Sequence, residues 1–401
     1  MKITSVDIIA LKPTEAGHVK PVVCRINTSE GIYGLGEIGT AIMTGADASF
    51  AYIRELAEMI IGMDPLENEV IWEKLYKGTM WAQGNGAIVF SAISAIDTAL
   101  WDIKGRYFGV PVYKLLGGKQ REKLRCYASH FEYGWNVSTF SPMATLAEYE
   151  RTCETIMEDG YTAIKGNFLL GDPTGKRRGF FDMCGALDRE VLRTAEARIE
   201  TCRRVCGDDM DIILENNSVT DAAAAIQYGK VMEPYDILFF EEPCSPLNAD
   251  MFRKIAEHVN IPLATGERSY TRYGFLPLLQ NRSITVAQPD LGTCGGITEG
   301  KKIADMAYCY DVGIQAHVCC GPISIAAGLQ FEAALPNFYI HEVHVSHTGP
   351  ELRELGVYDY SPRNGYIEIP ELPGLGQELT DYALKNAYIE TVSTVRHGMF
   401  K

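Results

Sequence analysis

The chain is short of positive charge, of paired cysteine spacing and of long apolar runs. Its 401 residues hold 37 Lys and Arg against 52 Asp and Glu, a formal net charge of −15 at pH 7. Such a surface repels phosphate backbones and argues against general nucleic-acid binding. An anionic substrate remains admissible if a local cation meets it. The eleven cysteines are an odd, scattered set that includes the adjacent Cys319 and Cys320; no CxxC occurs and no Cys/His cluster stands at zinc spacing. They read as reduced thiols. No segment approaches the ~18 uninterrupted apolar residues that cross a bilayer. Residues 1–13 alternate like a strand and lack the apolar stretch of roughly 7–15 residues found in a signal peptide. A cytoplasmic protein with no membrane partner is therefore expected. What remains is ordinary globular composition, 46% hydrophobic and 22% charged, in a length that suits a large domain plus a smaller one or a few ordinary domains.

The first forty residues read as antiparallel strands at 2–11, 21–27 and 31–37, with Thr28-Ser29-Glu30 as a turn. The period then changes: Ile53, Leu56, Ala57 and Ile60 recur at helical spacing, as do Ile93, Ile96, Leu100 and Ile103. Residues 87–107 are small and apolar on most sides, which predicts a helix buried between two layers. After Gly117-Gly118 the grammar repeats. Apolar runs at 124–128, 162–165, 211–215, 237–241, 262–267, 284–290, 313–317 and 338–342 alternate with helix-like segments such as 221–232, 249–258, 298–310 and 324–334. That alternation fits a closed parallel barrel better than an open doubly wound sheet, which the pattern alone leaves possible.

The ends of these runs carry Lys165 and Asn167, Glu215 and Asn217, Glu241, Glu267, Asp290, His317 and Glu342. From Glu215 onward the polar residues stand roughly 23–27 residues apart, one βα unit each. A barrel gathers its catalytic groups at the C-terminal ends of its strands, because all strands converge there. A single Glu after an apolar run is usually a cap or a solvated loop residue, but seven successive positions form a set. Glu215, Glu241 and Glu267 suit a hard cation such as Mg²⁺; Glu242 competes with Glu241 for the second place. Asp290 beside His317 would fix the imidazole tautomer and make a general base.

Residues 92–106, running on through Pro111-Val112 to Leu115-Leu116-Gly117, resemble the N-terminal signature of the mandelate racemase subgroup of the enolase superfamily. Lys165-Gly-Asn167, Glu241-Glu-Pro243, Gly266-Glu267-Arg268, Gln288-Pro-Asp290 and His317 follow in that family's order, and residues 294–299 strengthen a likeness to its acid-sugar dehydratases of the galactonate-dehydratase type. The resemblance implies a (β/α)7β modified TIM barrel at 121–370. It also implies an N-terminal α+β capping domain at 1–120, completed by a C-terminal tail at 371–401. It implies Mg²⁺, a sugar-acid substrate and a homo-oligomer of two to eight chains. Lys165 and Glu342 would bond the substrate carboxylate, Glu342 as the protonated acid. His317 would take the α-proton, and Asn167, Asn217, Arg268 and His130 would line the substrate.

Two departures qualify this. The second lysine of the racemases is Asn167, which accepts no proton, so one-base elimination is favoured over racemisation. The family's dehydratases of the galactonate type place a histidine two residues after the first metal ligand, where this chain has Asn217. Either His317 returns its proton to the leaving hydroxyl, or another group such as His130 or Tyr133 supplies it. An epimerase or lactone cycloisomerase using the same enediolate, and a non-catalytic sugar-acid sensor, are the alternatives. The loop 168–188, with Lys176-Arg177-Arg178, would close the site or remain a solvated charge run, and 16–20 and 40–46 would cover the mouth. Gly34-Leu-Gly-Glu-Ile-Gly39 imitates a dinucleotide fingerprint but follows a hairpin, without the parallel βαβ unit such a site requires.

Overall fold

The computed structural model describes residues 1–12, 19–137 and 141–393. Residues 16–18 of the expected mouth loop and 394–401 of the tail lie outside that set. The chain opens with an antiparallel sheet of β1 (Ile3–Ala10), β2 (Val22–Thr28) and β3 (Tyr33–Glu37). Gly31, at φ 76°, supplies the left-handed residue of the β2–β3 turn. Helices Ala46–Ile60 and Asn68–Gly78 follow. The third long helix, Ala87–Phe108, buries most of its residues and ends at Gly109 in a left-handed cap. It lies between β3 and the barrel helix Gly296–Tyr308, which is why residues on most of its sides must be apolar.

That sandwich explains the false fingerprint. A Cβ on Gly34 would stand 2.2 Å from the Ala99 carbonyl oxygen, and one on Gly36 would stand 1.9 Å from that of Ala95. Gly39 meets the barrel backbone directly: its N–H donates to the Gly292 carbonyl at 2.8 Å. The three glycines serve close backbone approach, not a phosphate.

Eight parallel strands then form the barrel: β4 (Lys123–Ser129), β5 (Ala163–Gly166), β6 (Asp211–Glu215), β7 (Ile237–Glu241), β8 (Leu263–Thr265), β9 (Val286–Ala287), β10 (Gly313–Ile314) and β11 (His341–His344). β11 pairs with β4, and Phe338 just before it bridges Ile314 of β10, so the ring closes. Among the described residues seven α-helices alternate with the eight strands, which is the (β/α)7β order. Tyr127, Ala163, Ile213, Phe239, Ala264, Val286 and Ile340 pack together as a cluster separate from the main core, one residue from each of seven segments of the ring. A short β12 (Tyr366–Glu368) lies antiparallel on β4, and β13 (Tyr388–Val392) pairs with β1, returning the tail to the cap.

Three strands are shorter than their apolar runs predict. At 262–267, 284–290 and 313–317 the strand stops before the polar residue: Glu267 stands in the loop beyond β8, and Asp290 and His317 pair with each other in a single parallel bridge past the ends of β9 and β10. In the run 338–342 the strand begins at His341 instead, because the preceding residues serve the closure onto β10. The loop 168–188 is more ordered than a solvated charge run. Buried Arg198 donates to the carbonyls of Phe168 at 2.9 Å, Gly171 at 2.7 Å and Asp172 at 3.0 Å.

Candidate active site

β6 and β7 lie in register with Glu215 opposite Glu241, and Glu267 follows β8 on the same rim. The three side chains bring carboxylate oxygens within 4.8 Å of one another. Glu215 and Glu241 are fully buried. Glu215 Oε2 accepts no hydrogen bond, though Lys165 Nζ lies 3.2 Å away. Burial and the neighbouring Glu241 push the Glu215 carboxyl well above its ordinary range. Burying like charges this close is costly unless a cation sits among them. An oxygen-only set with an unbonded buried oxygen fits a hard divalent ion. The structure also decides between Glu241 and Glu242. Glu242 turns away to bond Ser218, Thr265 and Arg268, leaving Glu241 in the cluster.

Lys165, at the end of β5, is fully buried and touches Glu241 Oε1 at 2.5 Å and Glu342 Oε1 at 2.9 Å as well as Glu215. Burial alone would strip its charge, but Glu241 and Glu342 hold its ammonium well above the usual range. Glu342 differs from the protonated acid that the resemblance implies. Burial raises its carboxyl, yet Lys165, His317 and His344 outweigh that and hold it well below the ordinary value. Ser129 Oγ and the Val318 N–H complete its partners at 2.7 and 2.9 Å.

His317 Nδ1 stands 2.7 Å from Asp290 Oδ2, and its Nε2 stands 3.5 Å from Glu267 Oε2. Burial lowers the basicity of His317, but Glu267 and the Asp290 hydrogen bond raise it further, to about 10. Asp290 is itself fixed by the Gly292 N–H at 2.6 Å. Cys319 comes within reach of Asp290 and His317. Its contact with Cys320 and its burial push the thiol well above its ordinary value.

The remaining expected residues are also at this rim. Asn167 Nδ2 reaches Asn217 Oδ1 at 3.4 Å, and the Asn217 N–H donates to Glu215 Oε1 at 2.5 Å. Arg268 contacts Glu242 and Glu267, and half of its side chain remains exposed. His130 follows β4 and lies with its ring 5.1 Å from that of His344. Sequence reasoning missed Ser129, Gln288 and Glu132. Of these, Gln288, which donates to Glu241 Oε2 at 2.6 Å, stands in a motif already singled out for its neighbour Asp290.

Residues 9–117 match the N-terminal domain of the mandelate racemase/muconate lactonizing enzyme family, and residues 148–383 match the enolase C-terminal domain-like family. The chain belongs to the mandelate racemase/muconate lactonizing enzyme family. This member of the enolase superfamily is 34% identical over 387 residues to a D-galactonate dehydratase of Ralstonia pickettii (strain 12J), covering 95% of this chain and 93% of that one. It superposes on an enolase-superfamily member from Salmonella Typhimurium with a TM-score of 0.94 at 47% identity, covering 98% and 99% of the two chains. A 3,6-anhydro-D-galactonate cycloisomerase from Zobellia galactanivorans superposes at 0.80 and 27% identity, covering 97% and 100%. No described helix of this family member is long and apolar enough to cross a membrane.

Proposed function

We propose that the protein is a Mg²⁺-dependent hydro-lyase acting on a sugar acid, an aldonate or aldarate, and yielding a 2-keto-3-deoxy acid. The observation that carries this is the Asp290–His317 pair facing Glu267 of the three-carboxylate cluster. The relatedness to D-galactonate dehydratases supports the reaction class. Glu215, Glu241 and Glu267 would hold the ion. Mg²⁺, when bound, supplies positive charge against the negative charge that grows on the substrate's carboxylate as its α-proton leaves. Lys165 orients that carboxylate, its ammonium braced by Glu342 and already desolvated before reaction. With a cation offsetting the Glu267 charge that otherwise keeps the ring protonated, His317 Nε2 would remove the α-proton, Asp290 holding Nδ1–H and stabilising the imidazolium. Asn167 and Asn217 bond substrate hydroxyls, and Arg268 adds a cation at the rim.

A cycloisomerase using the same proton abstraction is the second reading, favoured by the superposition on the Zobellia enzyme. An epimerase is disfavoured because Asn167 accepts no proton. The intact acid–base set argues against a sensor. A cytoplasmic homo-oligomer of two to eight chains belongs to the same proposal. The test is a library of mono- and diacid sugars in D₂O with Mg²⁺. Formation of a 2-keto-3-deoxy acid is expected, and the His317→Asn variant should lose it while still binding Mg²⁺. Exchange of the α-proton without that product would overturn dehydration; no exchange with any acid would overturn the enzyme reading.

A further inference from the structure

Glu342 is gripped from both sides: by Ser129, the residue before His130, and by Val318, the residue after His317. The two histidines therefore flank the same carboxylate, one beyond β4 and one beyond β10, the strands on either side of β11. His317 has Asp290. His130 has an equivalent partner, Glu132, whose Oε1 lies 2.8 Å from His130 Nδ1. Glu132 is 1% exposed. That contact is the only hydrogen bond of its carboxylate to any described residue, and Oε2 is left buried without one. A buried carboxylate that spends its one bond on an imidazole fixes the Nδ1–H tautomer and aims Nε2 away from it. Nε2 of His130 bonds no described residue. The backbone also pays for this placement: His130 sits at φ 59°, a left-handed conformation uncommon outside glycine.

The two other imidazoles nearby are committed elsewhere. His344 Nδ1 accepts the Ser346 N–H at 3.2 Å, and burial together with the neighbouring His130 and His347 drives its basicity far down. His347 Nε2 donates to the Cys320 carbonyl at 2.9 Å, and burial lowers it to about 4. On the opposite side Asn217 offers an amide, which transfers no proton.

We propose that His130, oriented by Glu132, is the general acid that protonates the hydroxyl leaving the substrate's β-carbon. The inference rests on the dehydratase reading above. His317 Nε2 takes the α-proton, and the C–H electron pair enters the enediolate. That pair then forms the Cα–Cβ double bond as the Cβ–O bond breaks, and the departing oxygen takes the proton from His130 Nε2 and leaves as water. His130 is left as neutral imidazole, still donating Nδ1–H to Glu132. The enol ketonises by gaining a proton at Cβ and losing its hydroxyl proton, and solvent resets both imidazoles. Glu132 is a positioning residue.

The test uses the full chain, Mg²⁺, and the sugar acid that the wild type dehydrates, in D₂O. His130→Asn keeps a residue type tolerant of left-handed backbone. It should lower 2-keto-3-deoxy acid formation by ~100-fold or more while α-deuterium incorporation stays within a few-fold of wild type. The β-fluoro analogue of the same acid, whose leaving fluoride needs no proton, should release fluoride at the wild-type rate in this variant. Glu132→Gln should show the same split with a smaller fall. Unchanged dehydration in His130→Asn would make His317 the sole acid and overturn the proposal. Parallel loss of exchange and dehydration, with no rescue by fluoride, would reduce His130 to a binding role. A wild type that exchanges but never loses water sinks the dehydratase reading itself, an outcome distinct from any failure confined to the variants.

Discussion

Glu37 ties the cap to the barrel, and the strength of that tie is measurable. It ends β3, is 2% exposed, and accepts the Gly321 N–H at 2.6 Å and the Ser324 N–H at 2.9 Å at the start of helix Pro322–Ala333. Glu37→Ala leaves two buried donors unsatisfied, at roughly 1–3 kcal/mol each, offset by release of a carboxylate from the dry interior. A net loss of about 2–4 kcal/mol is expected. Gly321→Ala attacks the same contact from the other side. Gly321 has φ −89° and ψ −166°, open to any residue, but an added Cβ would lie 2.5 Å from Glu37 Oε1. Displacing Glu37 should cost about 1–3 kcal/mol. All three atoms nearest to that Cβ belong to Glu37, so in the double variant the methyl enters vacated space. The combined loss should fall short of the sum by about 1–2 kcal/mol. Urea unfolding followed by tryptophan fluorescence reads this, since Trp72 and Trp101 of the cap donate to Gly295 and Thr298 of the barrel. Additivity within about 0.5 kcal/mol would refute the reasoning.

Asp97 also joins cap to barrel, accepting the Thr298 N–H at 2.9 Å, and burial raises its carboxyl to about 7. A carboxyl raised on folding binds its proton more tightly in the native state. Its stabilisation is therefore full below ~4 and lost as pH rises through about 7. Asn cannot titrate, so wild type should lose ground to Asp97→Asn between pH 5 and 8 in urea midpoints; parallel profiles would contradict this. Glu215→Gln removes one member of the proposed Mg²⁺-binding carboxylate cluster and should weaken Mg²⁺ binding about tenfold or more by calorimetry, while melting of the metal-free protein changes little or improves because one crowded, buried carboxyl is gone. A variant that binds Mg²⁺ as wild type does would exclude Glu215 as a ligand. Asn217→His restores the imidazole of the galactonate-type dehydratases. If His130 supplies the leaving-group proton, the new histidine should rescue dehydration in the His130→Asn background without raising wild-type turnover, as a rate assay shows.

The barrel was legible because each candidate rim residue ends an apolar run, and such a run needs no alignment to be seen. Strand lengths were less so: Glu267, Asp290 and His317 extend hydrophobic segments in sequence but stand past the strand ends, where their side chains converge. Glu241 and Glu242 are both buried, so polarity could not separate them. Register did, by setting Glu241 opposite Glu215. Glu132 gave no signal, since it lies in a single turn of 3₁₀ helix, Phe131–Tyr133, too short for any periodicity. Arg198 was equally silent. On an amphipathic helix it reads as a solvated charge, and only the path of the loop it braces brings three carbonyls to it.

The glycines of β3 have a mechanical consequence. Where Gly34 and Gly36 meet helix Ala87–Phe108, and where Gly39 meets Gly292, main chain rests on main chain with no side chain between. Rotamer changes cannot absorb motion at such a joint, and any sliding would separate backbone already in contact. The cap thus rides on the barrel as a fixed lintel. The rim beneath it, with Asp290 tied to Gly292 and Gly292 to Gly39, is thereby held at a fixed spacing from the cap.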